Sequence, residues 1–318
     1  MLKKLCCLCL CALLSLACLS GCGAAPAGED TGKREPAVVV TIYPIYDWVT
    51  NLLGSEGTAP TLLLDGGTDM HSYQPTVADL ALVSSCDLLI YVGGESDAWV
   101  EDALQNAVNP KLRALKLMEV LGDAARREEI VEGMQSDGEE EAENYDEHIW
   151  LSLRNAGRCC AAIAEALEAL YPAEREAIAA NAEAYLAALA EADAEYTGAV
   201  ASAGKSTLLF ADRFPFRYLT EDYGLDYYAA FPGCEAETEA SFETVRFLAS
   251  KLDELELSAV MTTESPAPRL AETVIENSER KIAAILVLDS MQSARIEDGR
   301  DYLARMGQNL EVLRRALN

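Results

Sequence analysis

Eight short apolar runs, four on either side of one long alanine-rich stretch, do most to constrain what this chain can fold into. They read "AVVVTIYP", "TAPTLLLD", "DLLIYVGG" and "KLRALKL", then "STLLFAD", "LDYYAAFP", "LSAVMTTE" and "IAAILVLD". Each run is continuous rather than alternating, and amphipathic helical stretches separate them. A strand that is apolar at successive positions is buried on both faces, which is the habit of parallel sheets with helices above and below. The expected class is α/β, with two lobes, each holding a four-stranded mainly parallel sheet flanked by helices. The dividing stretch, "PAEREAIAANAEAYLAALAEADAEYTGAVASAGK", opens at Pro172 and Ala173 and closes near Gly204. Its Ala and Glu content favours helix over roughly 30 residues, about 45 Å. One long rigid helix is thus expected to join the lobes as a strut, which disfavours a large hinge closure.

The first residues, "MLKKLCCLCLCALLSLACLSGC", carry two lysines, an apolar run from Leu5 to Leu19 and small residues before Cys22. That is the layout of an export signal, and the run is short against the roughly 20 residues that a membrane-spanning helix needs. "LSGC" resembles the lipobox of bacterial lipoproteins, which implies cleavage before Cys22 and its lipidation. The proline-containing stretch "GAAPAGEDTGKREP" then reads as a tether. The expected organisation is residues 1–21 as lipoprotein signal, 22–36 as lipidated Cys and tether, 37–171 as N-terminal lobe, 172–204 as linking helix and 205–318 as C-terminal lobe.

Charge narrows the partners. With 25 Lys and Arg against 53 Asp and Glu, the net charge of −28 repels nucleic-acid phosphates and anionic lipid, so nucleic acid is excluded as a partner. Of the ten cysteines, five lie in the signal and Cys22 is the lipidation site, leaving Cys86, Cys159, Cys160 and Cys234. That density does not suggest a disulfide-stapled domain; buried thiols are expected, one disulfide being the alternative. "SAGKST" has the tail of a phosphate loop but carries Ala199 where the first glycine belongs, and it follows a helix instead of a strand.

The chain has only two histidines. His71, in "GGTDMHSYQPT", follows an apolar run, which puts it in a loop at the strand ends where open α/β sheets bind ligands. His148, in "DEHIWLS", precedes a helix. Two neutral imidazoles with carboxylates suit a borderline divalent ion, Zn²⁺ first, with Mn²⁺ or Fe²⁺ as alternatives. No nucleophile with an adjacent base is visible, so an enzyme is not expected.

"TDMHSYQPTVADLALVSSCDLLIYVGGESDAWVEDAL" resembles the "DPHxYEPTPSD…ADL…NG…E.W" segment of substrate-binding lipoproteins of zinc and manganese ABC transporters, the ZnuA-like and PsaA-like family. "DEHIWLSLRNA" resembles that family's "DPHxWLDPxNA", and the likeness continues through "EDYGLDYYA" and "TEASFETV" to the end of the chain. The resemblance implies that His71 and His148 are the first two metal ligands and that Asp289, in "VLDS", is the fourth. The third is a His or Glu opening an "HDAFGYF"-like segment. Here the segment reads "FADRFPFRYL", which sets Ala211 at the ligand position with Asp212 beside it. Asp212 as the substitute, a water, or an acid such as Glu237 or Glu239 remain open for that place, and Arg213 opposes a cation unless it is paired, Asp212 being the expected partner.

By the same resemblance the chain is an extracytoplasmic lipoprotein, anchored to the bacterial cell membrane through lipid alone. It is expected to be a monomer that captures a divalent transition metal between its lobes and delivers it to an ABC permease served by a separate ATPase subunit. The alternative is a surface adhesin or scaffold on the same fold with weakened or lost metal binding. The acidic run "DGEEEAENYDEH" (137–148) reads as a solvated loop or as a weak cation collector near the site.

Overall fold

All eight apolar runs form strands, in two sheets of identical topology. The computed structural model describes residues 35–55, 57–136, 144–233, 239–264 and 268–318. The signal, Cys22, nearly all of the tether, residues 137–143, Cys234 and Glu237 lie outside the described residues. In the N-terminal lobe, β1 (Val38–Val40), β2 (Thr61–Leu62), β3 (Leu88–Tyr91) and β4 (Arg113–Lys116) pair in the order β2-β1-β3-β4. In the C-terminal lobe, β5 (Thr207–Phe214), β6 (Asp226–Pro232), β7 (Ala259–Thr262) and β8 (Ala284–Val287) pair in the order β6-β5-β7-β8. Every pairing is parallel, with Val39 opposite Leu89 in one sheet and Val260 opposite Ile285 in the other.

The continuous apolar runs serve two faces at once. Val38, Val40, Leu88 and Ile90 face one hydrophobic cluster, while Val39, Leu89 and Tyr91 face another that packs with Val83 and Val100 of the outer helices α2 (Val77–Ser85) and α3 (Trp99–Gln105). The second sheet repeats this arrangement. Leu208 and Phe210 look inward, and Leu209 and Ala211 look outward to Val245, Leu248 and Val274 on α8 (Phe242–Glu254) and α9 (Arg269–Asn277).

The inner cluster belongs to both lobes. It joins side chains of α1 (Tyr43–Leu53), α5 (Leu153–Leu170), α6 (Arg175–Ala201) and α10 (Tyr302–Ala316) to the inner faces of the two sheets. Trp48 of α1 meets Tyr302 of α10 edge-on at 5.4 Å, and the Tyr302 hydroxyl donates to the Trp150 carbonyl at 2.6 Å. Helix α6, 27 residues or about 40 Å long, is shorter at both ends than expected, since Pro172 and Ala173 lie in a turn before it. It presents Ile178, Ala182, Tyr185, Leu189 and Tyr196 to this shared core.

Residues 126–135, between α4 (Leu117–Leu121) and the His148 segment, run along the second sheet: the Gln135 N–H donates to the Ala230 carbonyl at 2.8 Å. This contact caps part of the free edge of β6, which would otherwise offer unpaired backbone groups. Cys86, Cys159 and Cys160 are buried, and burial pushes the Cys159 thiol up to about 12. Among the described residues, no helix is long and apolar enough to cross a membrane.

Candidate metal centre

The carboxyl ends of both sheets supply the residues that meet between the lobes. His71 sits in a single 3₁₀ turn, Met70–Ser72, after β2; Asp69 caps it, its Oδ1 accepting the His71 N–H at 3.0 Å. His148 immediately precedes the turn Ile149–Leu151 that leads into α5, and Asp146 Oδ1 accepts its N–H at 2.8 Å. Gln292 follows β8. Its Nε2 lies 2.5 Å from His148 Nε2 and 3.1 Å from His71 Nε2, and the two imidazole Nε2 atoms are 3.1 Å apart.

Carboxylates fix the tautomers. His148 Nδ1 lies 2.9 Å from Asp146 Oδ1, and His71 Nδ1 lies 3.0 Å from Ser96 Oγ and 3.2 Å from Glu147 Oε1. Ser96 Oγ donates to Glu147 Oε1 at 2.6 Å, so it accepts from Nδ1. With protons at both Nδ1 atoms, the two Nε2 lone pairs face each other, and the Gln292 amide N–H groups bridge them. Burial alone would raise the Glu147 carboxyl, but its hydrogen bonds with His71 and Ser96 work against burial, and the carboxyl is held below the ordinary range. Burial would lower His148, and the Asp146 carboxylate outweighs it and raises the imidazole. The loop bearing Ser96 is pinned by Asp97, whose Oδ2 accepts from Val92 N and Gly93 N; burial pushes that carboxyl up to about 7.

Two of the four expected ligands therefore come together and two do not. Asp289 Oδ1 accepts the Met291 N–H at 2.9 Å, while its Oδ2 pairs with Arg305 at 2.7 Å. Asp212 Oδ2 accepts from Thr263 N and Oγ1 at 2.9 and 2.8 Å, and its Oδ1 accepts the Arg213 N–H. Ala211 is 3% exposed in the outward cluster, on the face opposite the site, so the alignment that set it at a ligand position is corrected. The register of β5 against β6 shifts between Phe210 and Arg213, and a bulge of this kind re-aims the side chains beyond it. It is Arg213 that reaches the other lobe, pairing with the Asp69 carboxylate and not with that of Asp212. Phe216 and Tyr218 follow Arg213 by three and five residues, which is the aromatic spacing of "HDAFGYF" after its first residue. That spacing was the available signal for Arg213. Gln292 had none, because an amide is not counted among the usual metal donors.

Among the described residues, no group of three or more His, Cys, Asp or Glu side chains is placed to hold a metal ion. The converging set is two imidazoles and one amide. For a tetrahedral ion with bonds of about 2.0–2.1 Å, neighbouring donor atoms stand about 3.3 Å apart, close to the 3.1 Å separations at His71 and clearly wider than the 2.5 Å between Gln292 and His148, so Gln292 has to draw back as it turns. The arrangement fits a small divalent cation, with the Gln292 amide turned to present its oxygen.

A profile described as zinc-uptake complex component A, periplasmic, matches residues 38–316. A zinc-binding protein AdcA of Streptococcus pyogenes is 26% identical over 302 residues, covering 91% of this chain and 57% of its own length, so the chain spans little more than half of that relative. The high-affinity zinc uptake system protein ZnuA of Bacillus subtilis is 24% identical, with 96% and 95% covered. The Zn(II)-bound ZnuA-like domain of Streptococcus pneumoniae AdcA superposes with a TM-score of 0.71 at 25% identity, covering 89% of this chain and 99% of that domain. A laminin-binding adhesin of Streptococcus agalactiae shares the fold with a TM-score of 0.75 at 22% identity, covering 89% and 100%.

Proposed function

We propose, since this chain belongs to the family of periplasmic zinc-uptake complex component A proteins, that it captures Zn²⁺ between its lobes outside the cytoplasm and delivers it to an ABC permease. One observation carries this reading: two buried imidazoles from separate loops, each with Nδ1 tied to a carboxylate, turn their Nε2 lone pairs toward a single point. His71 and His148 are the nitrogen ligands. The Gln292 amide rotates to offer Oε1 as a third donor, and solvent completes the shell. Asp212 and Asp289 act from behind, holding Thr263 and the turn before Gln292. Nitrogen donors favour Zn²⁺ over the harder Mn²⁺. The cation is cargo and not a cofactor for catalysis. The anchor is the lipid on Cys22, and Cys22→Ala is expected to release the protein from membranes.

The deciding experiment is competition of the purified protein against a zinc chelator. His71→Ala and His148→Ala should each weaken zinc binding at least about tenfold, equivalent to about 1.4 kcal/mol. Titrations unchanged by both substitutions would leave the adhesin or scaffold reading in place of this one.

A further inference from the structure

The ligand set described above is neutral, yet it encloses a dication in a place where His148 is fully buried and the His71 side chain is 7% exposed. An ion without nearby negative charge is costly to bury. Among the described residues, Asp69 and Arg213 are paired with each other, Glu128 acts on His148 from farther off, and the two carboxylates in contact with the imidazoles from behind are Asp146 and Glu147. Asp146 occupies the Asp of the family's "DPHxW" motif. Glu147 is this chain's own, standing where the motif has proline.

Glu147 is built in with care. Its side chain is 1% exposed, Oε1 accepts from Ser96 Oγ at 2.6 Å, and Oε2 accepts the Ser96 N–H at 3.2 Å. The loop between β3 and α3 leaves room for it: a Cβ on Gly94 would lie 2.3 Å from Glu147 Oε2 and 2.5 Å from its Cβ. Both oxygens are thus fixed, and one of them faces His71 Nδ1.

We infer that Glu147 is the positioning residue of the metal site and supplies the second negative charge that balances the cation, in place of a carboxylate ligand, which the described residues do not supply. It acts through His71: the Nδ1–H···Oε1 contact holds the ring with Nε2 toward the metal and makes that nitrogen a stronger donor, as carboxylates behind metal-binding imidazoles do. The inference rests on the zinc-capture reading and deepens it, because it assigns affinity to a residue that does not touch the ion.

The test uses Glu147→Gln, which keeps the shape and the Oε1 acceptor while removing the charge, together with Glu147→Ala. Zinc affinity, the visible spectrum of bound Co²⁺ and the melting temperature of the metal-free protein are measured for each. Glu147→Gln should lose roughly tenfold to a hundredfold in zinc affinity with an unchanged Co²⁺ spectrum and a melting temperature at or above that of the wild type. Glu147→Ala should lose more and alter the spectrum, because the His71 ring is no longer held. Wild-type zinc affinity in Glu147→Gln overturns the inference alone, as does a loss that comes with a lower melting temperature, which marks a structural role. A wild-type protein that binds no zinc overturns the functional reading and this inference with it.

Discussion

Arg213 Nη2 lies 2.6 Å from Asp69 Oδ2, so strand β5 of one lobe is tied to the capping residue of the turn that carries His71 in the other. Burial would raise the Asp69 carboxyl, and the charge and hydrogen bond of Arg213 outweigh it and lower it. The guanidinium thus stands on the interlobe face with its charge already answered. It neither cancels the carboxylates behind the imidazoles nor donates to a metal.

Replacing that guanidinium is the most direct way to add a ligand. Arg213→His removes a positive charge and places a nitrogen at the position that Phe216 and Tyr218 mark by their spacing, so zinc affinity is expected to rise about tenfold or more. Ala211→His should instead force an imidazole into the cluster around Val245 and Val260, costing about 1–3 kcal/mol of stability without tightening zinc. Parallel zinc titrations and thermal melts of the two variants check both statements. Tighter binding by Ala211→His would restore the alignment that the structure corrects.

Gln292 makes a graded prediction. Gln292→Ala should weaken zinc binding about tenfold by removing a donor, and Gln292→Glu should strengthen it by at least as much, because a carboxylate adds charge at the same reach. Isothermal titration of the three proteins at one pH gives the order. If Gln292→Glu bound zinc no better than Gln292→Ala, the amide would have no place among the ligands.

For Asp289 the structure predicts a stability effect. Arg305 is 3% exposed and reaches both Asp289 and Asp298, at 2.7 and 2.8 Å. Asp289→Asn leaves one arm of a buried guanidinium without its anion, at a cost of about 1–3 kcal/mol. Denaturant unfolding of the metal-free protein should show this, with a smaller loss of zinc affinity than either histidine variant. The reverse ordering would return Asp289 to the ligand set.

Asp47 predicts how stability depends on pH. It is 7% exposed on α1 and accepts from Tyr185 Oη and Asn51 Nδ2, and burial raises its carboxyl from 3.8 to about 6. Folding therefore favours the protonated form: the contribution is fully present below about pH 3.8 and is lost as pH rises through 6. Asp47→Asn should be about 1–3 kcal/mol more stable than wild type at pH 8, with the advantage disappearing near pH 4. Equal stabilities at pH 8 would mean that the folded protein carries this charge at no cost.

The strands were legible because a run such as "DLLIYVGG" is buried on both faces wherever it lands in a parallel sheet. The histidines were legible because loops at the carboxyl ends of such strands converge. The carboxylates were not, because the direction of a loop side chain is decided by local competition. Thr263 N–H and Oγ1 claim Asp212, while Met291 N–H and Arg305 claim Asp289. Met291 is close to its acid in sequence, but Thr263 and Arg305 lie 51 and 16 residues from theirs. The bulge in β5 shifted the frame by which the third position was counted, and the Asp69 partner of Arg213 lies 144 residues away in the chain.

Under the proposed delivery of zinc to a permease, the cluster that runs unbroken through both lobes, braced by α6, has a consequence for the receiver. A body with a common interior has few soft modes, so its outline is expected to be nearly the same loaded and empty. The message that metal is aboard must then be written in the loops ringing His71, His148 and Gln292. A receiving surface that reads it has to touch the rim between the sheets.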